Sequence, residues 1–143
     1  GWQPLQLLRG LCRSEELVAL HRLADFCLVG SPDDGMNLVA KEFVASRCDG
    51  DGVLILSRYT GSARELGDGA LLVNPFAREE LAQAMHQALV MDEPQRRRRM
   101  ARMRRQVCEH NVYHWAASIL AEIAQTERRG TPAGPLCRSG GDA

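Results

Sequence analysis

Several features that would point to a membrane or to nucleic acid are missing from this sequence of 143 residues. No apolar run approaches the roughly 20 residues that a membrane-spanning helix requires. The formal net charge is zero, with 18 basic and 18 acidic residues, so no overall field would attract the chain to nucleic acid or to an anionic membrane. We therefore expect neither nucleic acid nor a membrane among its partners.

The five cysteines form no pattern that would support a disulfide scaffold or a zinc site. The number is odd, and no C-x-x-C pair occurs. Cys27 lies in an apolar run, where a free thiol packs as a small hydrophobic group. These observations favour reduced cysteines and a cytoplasmic protein. Because the first residue is not methionine, we interpret the sequence as a fragment of a longer protein.

Short apolar runs that alternate with helical patterns determine the predicted fold. The runs 26–29, 53–57 and 70–74 are predicted to be buried strands, since turn residues bound them. Helical spacing is found over about 14–24, 37–47 and 112–127, in a short segment after position 60, and in two longer segments after the third strand. This alternation predicts an α/β fold, with a Rossmann-like parallel sheet and flanking helices.

The fold predicts where a ligand would bind and which residues form the domain. Ligands of such sheets bind beyond the carboxyl ends of the strands, so the loops 30–37 and 58–62 are predicted to lie together around one pocket. Residues 1–127 are assigned to the domain. Residues 128–143 are rich in Gly, Pro, Ser and Arg and are predicted to form a disordered tail.

The loop that leads into the second predicted helix carries the strongest functional signal. Asp34 and Gly35 lie on this loop, Met36 and Asn37 are expected to offer unpaired backbone N–H groups, and Glu42 follows inside the helix. A helix N-terminus attracts anions through its free N–H groups and its dipole, and carboxylates accept hydrogen bonds from sugar hydroxyls. The pattern fits a sugar-nucleotide site. From spacing alone, an ordinary acidic N-terminus on a surface helix is favoured.

Other groups of residues permit weaker hypotheses. Asp33 and Asp34 could hold a divalent metal ion, although adjacent loop acids are usually solvated. The turn at Gly61 and Ser62 either cradles phosphate or is a plain strand-to-helix turn. Seven arginines between positions 96 and 105 could bind nucleic acid. A solvated helix face with Met100 and Met103 inward is favoured, because no aromatic residues are interleaved.

The sequence resembles the trehalose-6-phosphate synthase family over about residues 14–124. Four segments carry the resemblance in the same order: Asp34-Gly35-Met36-Asn37-Leu38-Val39-Ala40-Lys41-Glu42-Phe43-Val44-Ala45, Gly52-Val53-Leu54-Ile55-Leu56-Ser57, Thr60-Gly61-Ser62-Ala63-Arg64-Glu65-Leu66, and Ala70-Leu71-Leu72-Val73-Asn74-Pro75-Phe76. Four segments in order are far more specific than a lone motif.

The resemblance implies a partial C-terminal domain of a two-domain GT-B glycosyltransferase. Such an enzyme transfers glucose from UDP-glucose to glucose 6-phosphate with retention of configuration, in trehalose biosynthesis, and it needs no metal or other cofactor. The implied partners are thus a sugar nucleotide and a sugar phosphate, and a homo-oligomer is left open. A related synthase with another acceptor, such as glucosylglycerol-phosphate synthase, and a non-catalytic interaction or regulatory remnant remain alternatives.

The resemblance also implies roles for individual residues. Asp34 and the loop backbone after it would hold the glucose hydroxyls, the amides of Leu38 and Val39 would face the diphosphate, and Glu42 would hold the ribose. The implied donor-binding residues are Asp34, Gly35, Met36, Asn37, Leu38, Val39, Ala40, Lys41 and Glu42. With the acceptor domain of the family missing from this sequence, no catalytic residue is assignable. We expect this fragment alone to be inactive.

One residue departs from the family pattern beside the proposed site. The family usually has Arg or His immediately before the Asp-Gly-Met-Asn run, where this sequence has Asp33. A negative charge next to a diphosphate site is expected to weaken donor binding if the side chain points into the site.

Overall fold

The computed structural model describes residues 1, 3–10, 12–110 and 112–129, which form two compact units that divide between Cys108 and Glu109. The elements are α1 (Ser14–Leu23), β1 (Phe26–Val29), α2 (Leu38–Ser46), β2 (Val53–Ser57), α3 (Ser62–Leu66), β3 (Leu71–Val73), α4 (Arg78–Val90), α5 (Glu93–Glu109) and α6 (Val112–Arg129). The predicted alternation of strands and helices is confirmed.

The three strands form one parallel sheet in the order β1-β2-β3. Phe26 is in register with Val53, and Leu56 is in register with Leu72. All five residues of β2 are buried, because this strand is paired on both sides and covered on both faces. A continuous apolar run is typical of such a strand.

Helices cover both faces of the sheet, and each face has its own apolar core. Side chains alternate between the faces of a strand, so Leu54 and Leu56 pack on one face while Val53 and Ile55 pack on the other. The first core includes residues of α2 and α5, namely Ala40, Phe43, Val44, Met100 and Met103. The second includes Ala84 and Ala88 of α4. This two-sided packing confirms the predicted Rossmann-like sheet with flanking helices.

Two arginines of α5 donate hydrogen bonds to other segments of the fold, whereas the hypothesis of a solvated face predicts that they point into water. Met100 and Met103 are buried, as predicted. The guanidinium of Arg99 donates to the carbonyls of Gly69 and Ala70. That of Arg104 donates to three carbonyls at the end of α2, which would otherwise have no partner in the helix.

The second unit contains α6, which extends two residues beyond the predicted end at position 127. The remainder of the predicted tail, residues 130–143, lies outside the described residues. Trp115, Ile119 and Ile123 follow one another at a spacing of four and are exposed. Within the described part of the chain, no helix has the length and apolarity that crossing a membrane requires.

Candidate sugar-nucleotide site

Two loops meet at the carboxyl edge of the sheet, as the sequence predicts. Asp34, after β1, forms an isolated parallel bridge with Thr60, after β2. The backbone N–H of Gly61 donates to the carbonyl of Asp34 at 2.8 Å. The loop after β1 and the loop after β2 are thus joined by backbone bonds at the edge where ligands of parallel sheets bind.

Gly61 allows this close approach because it has no side chain. A Cβ atom at this position would lie 1.9 Å from the carbonyl oxygen of Gly35 and 2.8 Å from its carbon. Both are backbone atoms, which cannot move aside as a flexible side chain can. The glycine in the second loop is therefore explained by the path of the first loop.

Ser62 continues the contact between the two loops. Its side chain is fully buried, and its hydroxyl donates to the backbone carbonyls of Met36 and Asn37. Of the backbone N–H groups of Gly61 and Ser62 that would cradle phosphate, that of Gly61 already bonds the neighbouring loop, and phosphate binding at this turn stays a prediction. Both residues position the segment that precedes α2.

Asp34 shapes its own loop through both carboxylate oxygens. Oδ1 accepts from the backbone N–H groups of Met36 at 3.2 Å and Asn37 at 3.0 Å, and Oδ2 accepts from Asn37 Nδ2 at 2.8 Å. The hydrogen bonds from Asn37 lower the pKa of Asp34, and the bond from Met36 makes a smaller contribution in the same direction. The expectation that Met36 and Asn37 offer unpaired N–H groups is therefore wrong, because an aspartate readily bonds the backbone two or three residues onward.

Asn37 is the N-cap of α2, a role that the sequence analysis missed. Its φ of 57° lies in the left-handed region, which asparagine tolerates better than most residues. Its side-chain oxygen accepts from the backbone N–H of Ala40 at 3.0 Å. Asparagine before a helical pattern is a common capping signal, so the sequence did contain the information.

The cap leaves two N–H groups at the start of α2. Among the described residues, no acceptor bonds the backbone N–H of Leu38 or of Val39. Both residues are exposed. They are the two amides that the resemblance assigns to the diphosphate, and they lie beside the loop held by Asp34. The structure thus places the loop held by Asp34 beside a helix start of the kind that can bind an anion.

The next two residues of the segment face other parts of the protein. The methyl group of Ala40 is fully buried in the core. The ammonium group of Lys41 pairs with the carboxylate of Glu65 at 2.8 Å and connects α2 to α3. Both residues support the position of α2 in this structure.

Glu42 lies one turn after Leu38 on α2, where it lines an open groove of about 220 Å³ between α1 and α2. Glu42 is exposed, whereas His21 on the other side of the groove is only 7% exposed. Burial lowers the pKa of His21, and the charge of Glu42 opposes that effect. Within the described residues, the buried Nδ1 of His21 has no hydrogen-bond partner. His21 is not among the residues that the sequence predicts for the site.

The metal hypothesis finds little support in the geometry. Asp33 is exposed, and the oxygens of Asp34 accept the three bonds described above. Over the described ranges, no three His, Cys, Asp or Glu side chains are grouped closely enough to hold a metal ion.

Comparison with known proteins gives one consistent result. The model of glycosyltransferase family 20 matches residues 1–125. A trehalose-6-phosphate synthase of Mycobacterium sp. is 46% identical over 118 residues, which are 82% of this chain and 24% of that protein. The glucosylglycerol-phosphate synthase of Synechocystis sp. is 40% identical over 122 residues, or 85% of this chain and 24% of that protein.

A solved structure agrees with the sequence comparisons. The E. coli trehalose-6-phosphate structure that is bound with UDP-2-fluoro glucose has a TM-score of 0.82 at 38% identity, covering 87% of this chain and 28% of that one. The chain spans about a quarter of the length of the curated relatives that it matches. The predicted resemblance and the predicted fold class, part of a GT-B glycosyltransferase, are confirmed. The chain belongs to glycosyltransferase family 20.

Proposed function

We propose that this chain is the donor-binding part of a retaining glucosyltransferase that uses UDP-glucose and glucose 6-phosphate. The observation that carries the proposal is the joined pair of loops at the carboxyl edge, with the two unbonded amides of Leu38 and Val39 at the start of α2. The solved relative that is bound with UDP-2-fluoro glucose supports the nature of the donor. The curated trehalose-6-phosphate synthases support the nature of the acceptor.

Successive residues of the site would contact successive parts of the donor: first the glucose, then the diphosphate, then the ribose. The loop held by Asp34 faces the glucose, where carboxylate and backbone groups match sugar hydroxyls. The amides of Leu38 and Val39 and the dipole of α2 offset the charge of the diphosphate. Glu42 accepts hydrogen bonds from the ribose. Lys41 is held by Glu65 in this structure and supports the helix that carries these groups.

In the proposed reaction, the bond between glucose C1 and the diphosphate oxygen breaks, and UDP leaves with that electron pair. A hydroxyl oxygen of the acceptor bonds to C1 on the same face, and its proton passes to the departing diphosphate oxygen. The two amides at the start of α2 would stabilise charge that develops on the departing diphosphate. We propose that this transfer needs no metal ion, and the expected result is full activity in the presence of a chelator such as EDTA.

A second acceptor is favoured by one specific observation. The glucosylglycerol-phosphate synthase of Synechocystis sp. is 40% identical to this chain, which lies within the range of 34% to 46% for the trehalose-phosphate synthases. The described donor segment does not distinguish the two activities. The part of the polypeptide that binds the acceptor would decide between them.

The test is an activity assay on this chain joined to its natural upstream sequence. The protein is supplied with UDP-glucose and either glucose 6-phosphate or glycerol 3-phosphate, and the products are identified by mass spectrometry. We expect trehalose 6-phosphate from the first acceptor. Product from glycerol 3-phosphate alone would instead identify the sibling activity.

Two further measurements complete the test: the activity of the isolated chain, and UDP-glucose binding by the longer polypeptide. The chain of 143 residues is expected to form no product by itself, because it has no assigned acceptor site. Absence of saturable UDP-glucose binding by the longer polypeptide would overturn the proposal and favour a non-catalytic remnant.

A further inference from the structure

An exposed pair of aromatic side chains lies at the same edge of the sheet as the donor loop. Tyr59 follows β2 and Phe76 follows β3, and their ring centroids are 6.4 Å apart at an interplanar angle of 47°. Tyr59 is 46% exposed and Phe76 is 76% exposed. The donor loop described above does not use either ring.

The backbone on both sides of the pair is held in place, so the rings do not hang from free loops. The backbone N–H of Phe76 donates to Asn74 Oδ1 at 3.0 Å, and that of Tyr59 donates to Ser57 Oγ at 3.3 Å. Next to the pair, Arg58 forms an ion pair with Glu80. An apolar centre with a charged rim is the usual anatomy of a protein interface.

Exposed aromatic side chains of this size are informative because they are costly to leave in water. Tyr and Phe are among the residues enriched at interfaces, where a few aromatic anchors carry much of the binding energy. Tyr59 directly precedes Thr60, whose bridge to Asp34 joins the two loops. Whatever covers the aromatic pair will therefore be next to the donor loop.

The proposed reaction indicates what the occupant is. The acceptor oxygen must come within about 3–3.5 Å of glucose C1 before transfer, and this chain has no assigned acceptor residues. About three quarters of the length of the relatives has no counterpart here. Under the proposed function, the part of the polypeptide that binds the acceptor must therefore approach this edge of the sheet. A second copy of this chain would supply no acceptor site.

We propose that Tyr59 and Phe76 form the docking surface on which the acceptor-binding part of the polypeptide closes over the donor loop. This inference rests on the proposed function, since that function requires an acceptor-binding part. It goes further by assigning the contact to two named side chains that take no part in donor binding.

Hydroxyl-radical footprinting tests the docking directly and without an activity measurement. Oxidation of Tyr59 and Phe76 is measured in the chain of 143 residues and in the same chain joined to its natural upstream sequence. We expect at least fivefold slower oxidation of both rings in the longer polypeptide. Leu89, which is 69% exposed on α4, is the internal reference and should be oxidised at similar rates in both.

The outcomes separate this inference from the proposed function. Equal oxidation of the two rings in both proteins would overturn the docking surface, even if the longer polypeptide makes the expected product. Protection in the longer polypeptide without any glycosyl transfer would uphold the docking surface and contradict the proposed function. Protection in the short chain that grows with its concentration would overturn the inference in favour of a second copy.

A pair of variants of the longer polypeptide gives an independent readout. Phe76→Ala is expected to raise KM for the sugar phosphate at least fivefold while the Kd for UDP-glucose changes less than twofold. Leu89→Ala, the matched loss of an exposed apolar side chain, should change neither value. An unchanged KM in Phe76→Ala would contradict the assignment.

Discussion

At the scale of single residues, Asp34 organises the segment that is proposed to hold the donor. Its carboxylate accepts three hydrogen bonds from Met36 and Asn37, and Asn37 in turn caps Ala40. These bonds satisfy the backbone N–H groups at the start of α2, except for those of Leu38 and Val39. One carboxylate and one amide side chain thus select which N–H groups remain available to a ligand.

His21 gives a prediction at the same scale. Its imidazole contacts the ring of Phe43 edge-on, with centroids 5.8 Å apart, and burial lowers its pKa. The unfolded chain therefore binds more protons than the folded one as pH falls below about 6.5. The stabilisation is complete above that pH and is lost as pH falls through the folded pKa.

We expect His21→Phe to remove this part of the pH dependence while retaining an aromatic ring against Phe43. The measurement is the free energy of unfolding in urea at several values between about pH 5 and pH 8, a range that brackets the ordinary histidine pKa. The free energy of unfolding should rise more steeply with pH in the wild-type protein than in His21→Phe. The exposed His86 is the control, and His86→Gln should keep the wild-type slope. Equal slopes in all three proteins would contradict the account.

At the scale of elements, the contact between the loops after β1 and β2 depends on one glycine. A Cβ at Gly61 would collide with the backbone of Gly35. Because backbone atoms cannot move aside locally, we expect Gly61→Ala to separate the loops and to cost about 1–3 kcal/mol, the usual range for overpacking.

The measurement is urea unfolding together with UDP-glucose binding by the polypeptide joined to its upstream sequence. Gly61→Ala should lower both stability and donor affinity. Gly30→Ala is the matched control, since a Cβ at Gly30 meets nothing within 4 Å. Wild-type behaviour of Gly61→Ala would mean that the close approach of the loops is unimportant.

The ion pair between Arg96 and Asp51 joins α5 to the turn before β2. Arg96 Nε and Nη2 bond the two oxygens of Asp51 at 2.7 and 2.9 Å, and the hydrogen bond from Arg96 is the main reason that the pKa of Asp51 falls to about 2. The stabilisation is present above the ordinary aspartate pKa of about 4 and is lost as pH falls through the folded pKa.

We expect Asp51→Asn to lower the free energy of unfolding by about 2 kcal/mol at neutral pH, and by less near pH 3. Urea unfolding at the two pH values is the measurement. Glu93→Gln removes a carboxylate from the exposed pair with Arg97 and should cost less than about 0.5 kcal/mol. Similar losses for both variants would show that the pair with Arg96 has no special role.

Several elements were predictable from local sequence, and several contacts were not. The strands 26–29 and 53–57 were predicted to the residue, because a short apolar run between turn residues is typical of a buried strand. The bonds of Arg104 to the end of α2 join positions about sixty residues apart, and no local period contains such information. The capping role of Asn37 was local and was missed because the helix pattern was extended through it.

At the scale of the whole molecule, the chain is about a quarter of the length of its relatives. It contains a sheet with covered faces, the proposed donor segment at the expected edge and an aromatic pair beside that segment. Under the proposed function, acceptor choice and activity depend on the rest of the polypeptide.

Titration calorimetry of UDP and UDP-glucose against the chain joined to its upstream sequence tests the central claim most directly. Glu42→Gln, at the proposed ribose contact, should weaken both ligands at least tenfold. Asp34→Ala should weaken UDP-glucose more than UDP, because the loop that Asp34 shapes is proposed to face the sugar. Glu93→Gln should bind both ligands as the wild type does. Unchanged affinities in Glu42→Gln and Asp34→Ala would contradict the assignment of the donor site.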